Sequence, residues 1–276
     1  MKSEHINWPR PPRCLYKFRN FGMNGLHLDI LARNEIFFSS PLRFNDPFDC
    51  RIPIRYDLAS RAEFLRTFEE IAAIENPGLR RNESHRLAKH AFRNKLFKDR
   101  EATAKLQEEV VNSNLGVFSL SANPSSLLNW AHYGDSHKGF CIGFDTEALN
   151  EFCLMRSLKT KLPTVLMKVN YTREYPLVNP YKISNQQRME YTFLTKSVDW
   201  EYEREYRILL PQGANVLLSV PSHALKRVII GCQASDDDRQ ALMRVVEKRG
   251  NDIQVFVAKT SPDDFRLRFR LAANGN

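Results

Sequence analysis

The sequence predicts an α+β protein: a mixed or split β-sheet core, an inserted helical lobe over residues 57–113, and a C-terminal strand-helix-strand unit. Three observations carry this expectation. Short aromatic and branched runs recur toward both ends of the chain, helical periodicity fills the stretch between Ser60 and Asn112, and residues 227–258 read as strand, helix, strand. With 276 residues and 42% hydrophobic content, the chain has ample apolar mass for a core, which excludes disorder as its main state. One domain over the whole length, interrupted by the lobe, is expected.

The first elements are strands at Cys14–Phe18 and Glu35–Ser39, with a short helix from Leu26 to Arg33 between them. Pro41 to Cys50 carries two prolines and an Asn-Asp-Pro run, which forbid regular structure, while its aromatics require packing; the result is an anchored loop. Ser60 and Glu63 form a capping box, and Phe64, Leu65, Phe68, Ile71 and Ala72 follow at helical spacing up to Asn76-Pro77-Gly78. A second helix, about Glu83 to Phe97, places Leu87, Ala88, Ala91, Phe92 and Leu96 on one face, and further polar helix runs to Asn112.

Gly116–Ala122 returns as a strand. Asn123-Pro124 then has the form of a helix start and Gly134 that of its end, with Phe140–Phe144 the next strand. Thr164–Tyr171, Trp200–Leu210 and Asn215–Val220 are strand candidates, and the stretches between them carry no clear period. Arg227–Ile230, a helix opened by Ser235 and three aspartates and closed at Arg249-Gly250, and Ile253–Ala258 form the strand-helix-strand unit. Phe265, Leu267, Phe269 and Leu271 alternate with Arg266, Arg268 and Arg270, a half-buried strand with arginines on its open face.

No window reaches the roughly 18 apolar residues of a spanning helix, so no membrane partner is expected. Met1–Pro9 lacks an apolar stretch after a charged start, and a cytoplasmic location is the expectation. The five cysteines are odd in number and never in a Cys-x-x-Cys pair, which argues for reduced thiols over a disulfide framework or zinc knuckle. The net charge of +9 favours an anionic partner. Much of it is local, because residues 80–105 hold nine Lys or Arg and three acids. Arg86, Lys89 and Arg93 of that lobe, with Arg266, Arg268 and Arg270, are the candidates for phosphate contacts, against the alternative of an ordinary solvated face.

Several constellations could carry chemistry. On a strand, Glu201, Glu203 and Glu205 would share one face about 6.6 Å apart, a repulsion that asks for a cation, metal or substrate hydroxyl; on a helix, Glu203 would instead pair with Arg207. His132, Tyr133 and His137 flank a tight loop, where they are a base or ligand cluster or, for His132, a helix cap. Asn45, Asp46 and Asp49 are turn formers or a clamp for metal or substrate. The chain has no Gly-x-Gly-x-x-Gly, Walker-type Gly-Lys-Ser/Thr, Gly-x-Ser-x-Gly or His-Glu-x-x-His run, which counts against Rossmann dehydrogenases, P-loop enzymes, common serine hydrolases and zincins.

Tyr16-Lys17-Phe18-Arg19, Ser40-Pro41, Phe44 through Asp49, Phe118-Ser119, Trp130 through Tyr133, His137 through Ile142, Trp200 through Arg207 and Ile230-Gly231-Cys232 occur in an order that resembles the bacterial domain of unknown function 2971 family, from about residue 14 to 260. The basic lobe is particular to this chain. The first strand, the aromatic second strand with its serines and the late Glu-x-Glu further resemble the split-sheet ADP-ribosyltransferase fold. That resemblance implies a cytoplasmic enzyme cleaving the nicotinamide-ribose bond of NAD, a toxin or phage-defence effector acting on nucleic acid or protein. Lys17 or Arg19 would face the NAD phosphates, Ser39 or Ser40 the nicotinamide ribose, and Glu205 with Glu203 the ribose 2′-hydroxyl, with Asn45 and Tyr133 lining the cofactor and His132 and His137 as further catalytic candidates. Lys17 stands where that fold uses His or Arg, and a lysine lacks the planar fork. Two alternatives remain: a metal-dependent nuclease or phosphodiesterase using Asp46, Asp49, His132, His137 and the glutamates, and a non-catalytic nucleic-acid-binding or regulatory module.

Overall fold

A computed structural model describes residues 11–22, 27–76, 78–250 and 253–272. The expectations for Met1–Pro9, for Leu26 as a helix start and for Pro77 as part of a helix stop lie outside these residues.

The chain opens with β1 (Cys14–Arg19), α1 (Asp29–Arg33) and β2 (Glu35–Phe38). After α1 the turn is made by Asn34 in the left-handed region, a conformation that asparagine tolerates better than most residues. α2 (Arg61–Glu75) starts at the expected capping box, where Ser60 Oγ accepts from Glu63 N at 3.2 Å and Glu63 Oε2 accepts from Ser60 N at 2.9 Å. α3 (Arg81–Asn94) ends three residues before Phe97, because Lys95 turns to a positive φ, and Leu87 is 46% exposed where an apolar face was expected. α4 (Arg100–Gln107) and β3 (Gly116–Ser121) follow.

α5 (Leu127–Tyr133) begins later than Asn123-Pro124 predicts. Asn123 instead makes a turn in which its Oδ1 accepts from Ser125 N at 3.0 Å, and Ser126 is the cap, accepting from Asn129 N at 3.2 Å. β4 (Phe140–Asp145) leads directly into α6 (Thr146–Thr160), capped by Asp145. β5 (Val165–Lys168), β6 (Asn170–Thr172), α7 (Asn185–Phe193) and β7 (Thr195–Ser197) come next. The single long strand expected from Trp200 is in fact a 3-10 segment, Val198–Glu203, followed by β8 (Glu205–Leu210). The chain closes with β9 (Val216–Ser219), β10 (Leu225–Ile230), α8 (Asp236–Arg249), β11 (Gln254–Thr260) and β12 (Leu267–Leu271). The last strand starts at Leu267, so Phe265 falls outside it and is 96% exposed.

Two compact units result. The first comprises residues 1–39, 116–169 and 199–276; the second comprises residues 40–115 and 170–198, and so holds the helical lobe. In the first unit an eight-stranded mixed sheet runs β12-β11-β10-β4-β1-β3-β8-β5. Its one parallel pair, β10 with β11, is joined by α8, as the strand-helix-strand reading requires. One face buries Leu15, Ile142, Phe144, Phe118 and Ile208 with Leu149 and Phe152 of α6 and Leu242 of α8. The opposite face packs Tyr16, Phe18, Cys141 and Ile229 around Trp130 of α5, which is fully buried and donates its indole N–H to Pro124 O at 2.8 Å. In the second unit, β6 and β7 pair in parallel, and Phe64 of α2 clusters with Phe92 and Phe97. None of the five cysteines forms a disulfide among the described residues, and three of them are buried. No helix among the described residues is long and apolar enough to cross a membrane.

Candidate active site

The eight-stranded sheet is unevenly knitted. β1 registers with β4 through six residue pairs and β3 with β8 through another six, yet β1 meets β3 at one pair, Tyr16 with Ser121. Past that pair Lys17 fills the seam: its Nζ donates to Ser119 O at 2.8 Å and stands 5.2 Å from the centre of the Phe118 ring. A backbone carbonyl that a neighbouring strand would ordinarily satisfy is thus satisfied by a side-chain amine.

Across the seam, the register sets Ser121 opposite Glu205 and Ser119 opposite Arg207. Arg207 has no solvent exposure and grips Glu205 in a bidentate pair, Nε to Oε1 at 2.8 Å and Nη2 to Oε2 at 2.9 Å. Two residues apart on a strand, the pair shares one face, which is the geometry that period-2 alternation allows and helical i, i+4 pairing does not. Glu203 is also buried; Tyr133 Oη donates to its Oε1 at 2.6 Å, and Ser121 Oγ donates to its main-chain carbonyl at 2.6 Å. Asn129 Nδ2 donates to Ser121 Oγ at 3.1 Å, while its buried Oδ1 has no hydrogen-bond partner among the described residues.

Burial pulls the Lys17 amine down to about 7, and Arg19 lowers it further; Glu205 and then Glu203 oppose the shift, so both carboxylates lie within electrostatic reach of the seam. Burial also lowers Arg19. Neither Lys17 nor Arg19 forms an ion pair among the described residues. By strand alternation Lys17 leaves the sheet on the face opposite to Glu205, so the two groups approach through the seam and not across a common surface.

Other candidates stand elsewhere. Glu201 is exposed on the 3-10 segment and does not extend the row of glutamates. Ser39 follows β2 in an isolated bridge to Val117, its N donating to Val117 O at 3.0 Å. In the second unit, Ser40 caps the turn at Pro41–Arg43, accepting from Leu42 N at 3.2 Å; Asn45 is exposed. There Asp46 accepts from Phe48 N at 2.9 Å, and Asp49 lies 3.5 Å from Lys196, both ends of that pair being buried.

His132 is exposed, its ring 6.1 Å from Tyr202 and 6.5 Å from Trp200. His137 stacks on Trp130 at 6.3 Å in a loop where Asp135, Ser136 and His137 all have positive φ; burial lowers its pKa and leaves its Nδ1 without a hydrogen-bond partner among the described residues. The two histidines therefore have separate surroundings. No group of three or more His, Cys, Asp or Glu among the described residues is placed to hold a metal. Arg86, Lys89 and Arg93 are exposed along α3, and Arg266, Arg268 and Arg270 are exposed around β12, where Arg266 and Arg268 pair with Asp264 and Asp263. Arg207, Ser121 and Asn129 were not expected in the site; the Glu-x-Arg spacing of Glu205 and Arg207 was the legible sign of the first.

Residues 129–208 match the family described as protein of unknown function DUF2971. The matched DUF2971 segment contains Asn129, Tyr133, Glu203, Glu205 and Arg207, which are most of the buried polar cluster. No curated protein and no solved structure matches the chain.

Proposed function

We propose that the seam between β1 and β3 is the ligand site of an ADP-ribosyltransferase-like enzyme that cleaves the nicotinamide-ribose bond of NAD. The observation that carries this reading is the seam itself: a sheet joined at one residue pair, with a lysine amine in the gap and two buried carboxylates within its field. Lys17 and Arg19 bring two basic groups to the seam, neither of them in an ion pair among the described residues, which suits the NAD pyrophosphate. Breaking the bond from ribose C1′ to the nicotinamide nitrogen sends the electron pair to the ring and leaves oxocarbenium character on the ribose. Glu205, held in place by its bidentate pair with Arg207, offsets that charge, and Glu203 takes the proton of the incoming hydroxyl or amine. The exposed basic face of α3 would hold an anionic target such as nucleic acid.

The test is nicotinamide release from NAD, measured by chromatography with the full chain. Glu205 is a poor single probe, since its removal breaks a buried bidentate pair with Arg207, a change that costs about 3–5 kcal/mol. Glu203→Gln and Tyr133→Phe are cleaner. Each is expected to lower turnover by about 10²-fold or more with an unchanged circular dichroism spectrum. Wild-type protein that neither binds NAD nor releases nicotinamide in the presence of protein and nucleic-acid acceptors removes the reading.

A further inference from the structure

A second site lies in the same unit, at the far end of the strands. Arg13, Cys14, Asp145, Lys226, Arg227 and Gln254 line a cleft of about 540 Å³, within the roughly 300–1,000 Å³ range of small-molecule sites. The sheet register builds it. Cys14 pairs with Asp145, and Gly143 is flanked by Tyr16 on one side and Arg227 on the other, with Gln254 beyond Arg227. A bulge between Leu225 and Arg227 inserts Lys226, which is exposed, beside the cleft. Gly143 is required here. A Cβ on it would stand 2.5 Å from Arg227 Cγ and 2.9 Å from Cys14 Sγ, so its absence lets the Arg227 stem lie across the sheet.

The charge is unbalanced. Arg13, Lys226 and Arg227 form no ion pair among the described residues, and Arg227 Nε is buried with no hydrogen-bond partner there. The one acid, Asp145, is committed to the start of α6, its Oδ1 accepting from Glu147 N at 3.0 Å and Ala148 N at 3.1 Å. The Arg227 guanidinium carbon lies 6.0 Å from the centre of the Phe256 ring, which supports one face of the planar group. Burial raises the Cys14 thiol, so the cysteine adds no negative charge near neutral pH.

We infer that this cleft binds a phosphorylated small molecule of up to nucleotide size, with Arg227 and Lys226 on the phosphate groups. Its concave shape favours a small ligand over a nucleic-acid backbone, for which the open face of α3 is the better surface. The site is independent of the seam at Lys17.

Calorimetric titration of the full chain with inorganic pyrophosphate and with ADP tests it. Saturable binding is expected, weakened about tenfold or more by Arg227→Met and by Gly143→Ala, which displaces Arg227 without changing charge. Lys226→Gln, at an exposed position, is expected to weaken binding several-fold and keeps the test readable if Arg227→Met unfolds. Glu203→Gln and Lys17→Met are expected to leave this binding unchanged. Absence of saturable binding, equal affinity in the Arg227 and Lys226 variants, or loss through Lys17→Met instead would overturn the inference. So would an oligonucleotide that binds in an Arg227-dependent way while pyrophosphate and ADP do not.

Discussion

At the scale of single residues, Lys17 has the most to report. Its amine is charged below about 7 in the folded chain and below its ordinary 10.5 in the unfolded one. Between those values the unfolded state binds more protons, so stability conferred at this position rises with pH from about 7 to 10.5 and is lost as pH falls toward 7. Denaturant titrations of wild type and Lys17→Met across that range are expected to show the wild type gaining on the variant as pH rises; parallel curves would place the amine in water. The buried pair of Glu205 and Arg207 shows how far single residues were legible. Glu203 and Glu205 stand out in the sequence by their alternation, whereas Arg207 was read as the i, i+4 partner of Glu203. Strand geometry gives it to Glu205, two residues away.

Elements bounded by local chemistry were readable, and those bounded by packing were not. The capping box at Ser60 needs only side chains three residues apart, so it identified the start of α2. α6 escaped because its apolar residues encircle it: Leu149, Phe152 and Cys153 are buried, while Leu154, Met155 and Leu158 are at least 60% exposed on other sides. The loop after α5 is set by backbone proximity. Gly231 N donates to Gly139 O at 2.8 Å, and a Cβ on Gly231 would come within 2.1 Å of His137 O. Backbone cannot yield as a flexible side chain does, so Gly231→Ala is expected to destabilise the first unit by about 1–3 kcal/mol or more, read as a lower denaturation midpoint at unchanged m-value. An unaltered midpoint would mean that the loop has room to move.

At the scale of the whole molecule, the charge excess resolves into places. Arg86, Lys89 and Arg93 sit at i, i+3 and i+7 on the exposed side of α3, one continuous basic face in the second unit. If that face tracks phosphates, nucleic-acid affinity falls steeply with salt, and neutralising all three residues reduces the log-log slope by about 2–3. A slope unchanged in the triple variant would assign the face to solvent. Composition and spacing were enough to establish an α+β chain, its basic lobe, most of its strands and a likeness to DUF2971 over residues 129–208, because hydrophobic period, caps and motif order are written along the chain. Tertiary structure decided which strands leave a seam between them, that Glu205 is clasped by Arg207 and that Lys17 titrates near neutrality, and it created the cleft at Arg227. Each of these depends on register and burial between residues distant in sequence, and neither is encoded in local pattern.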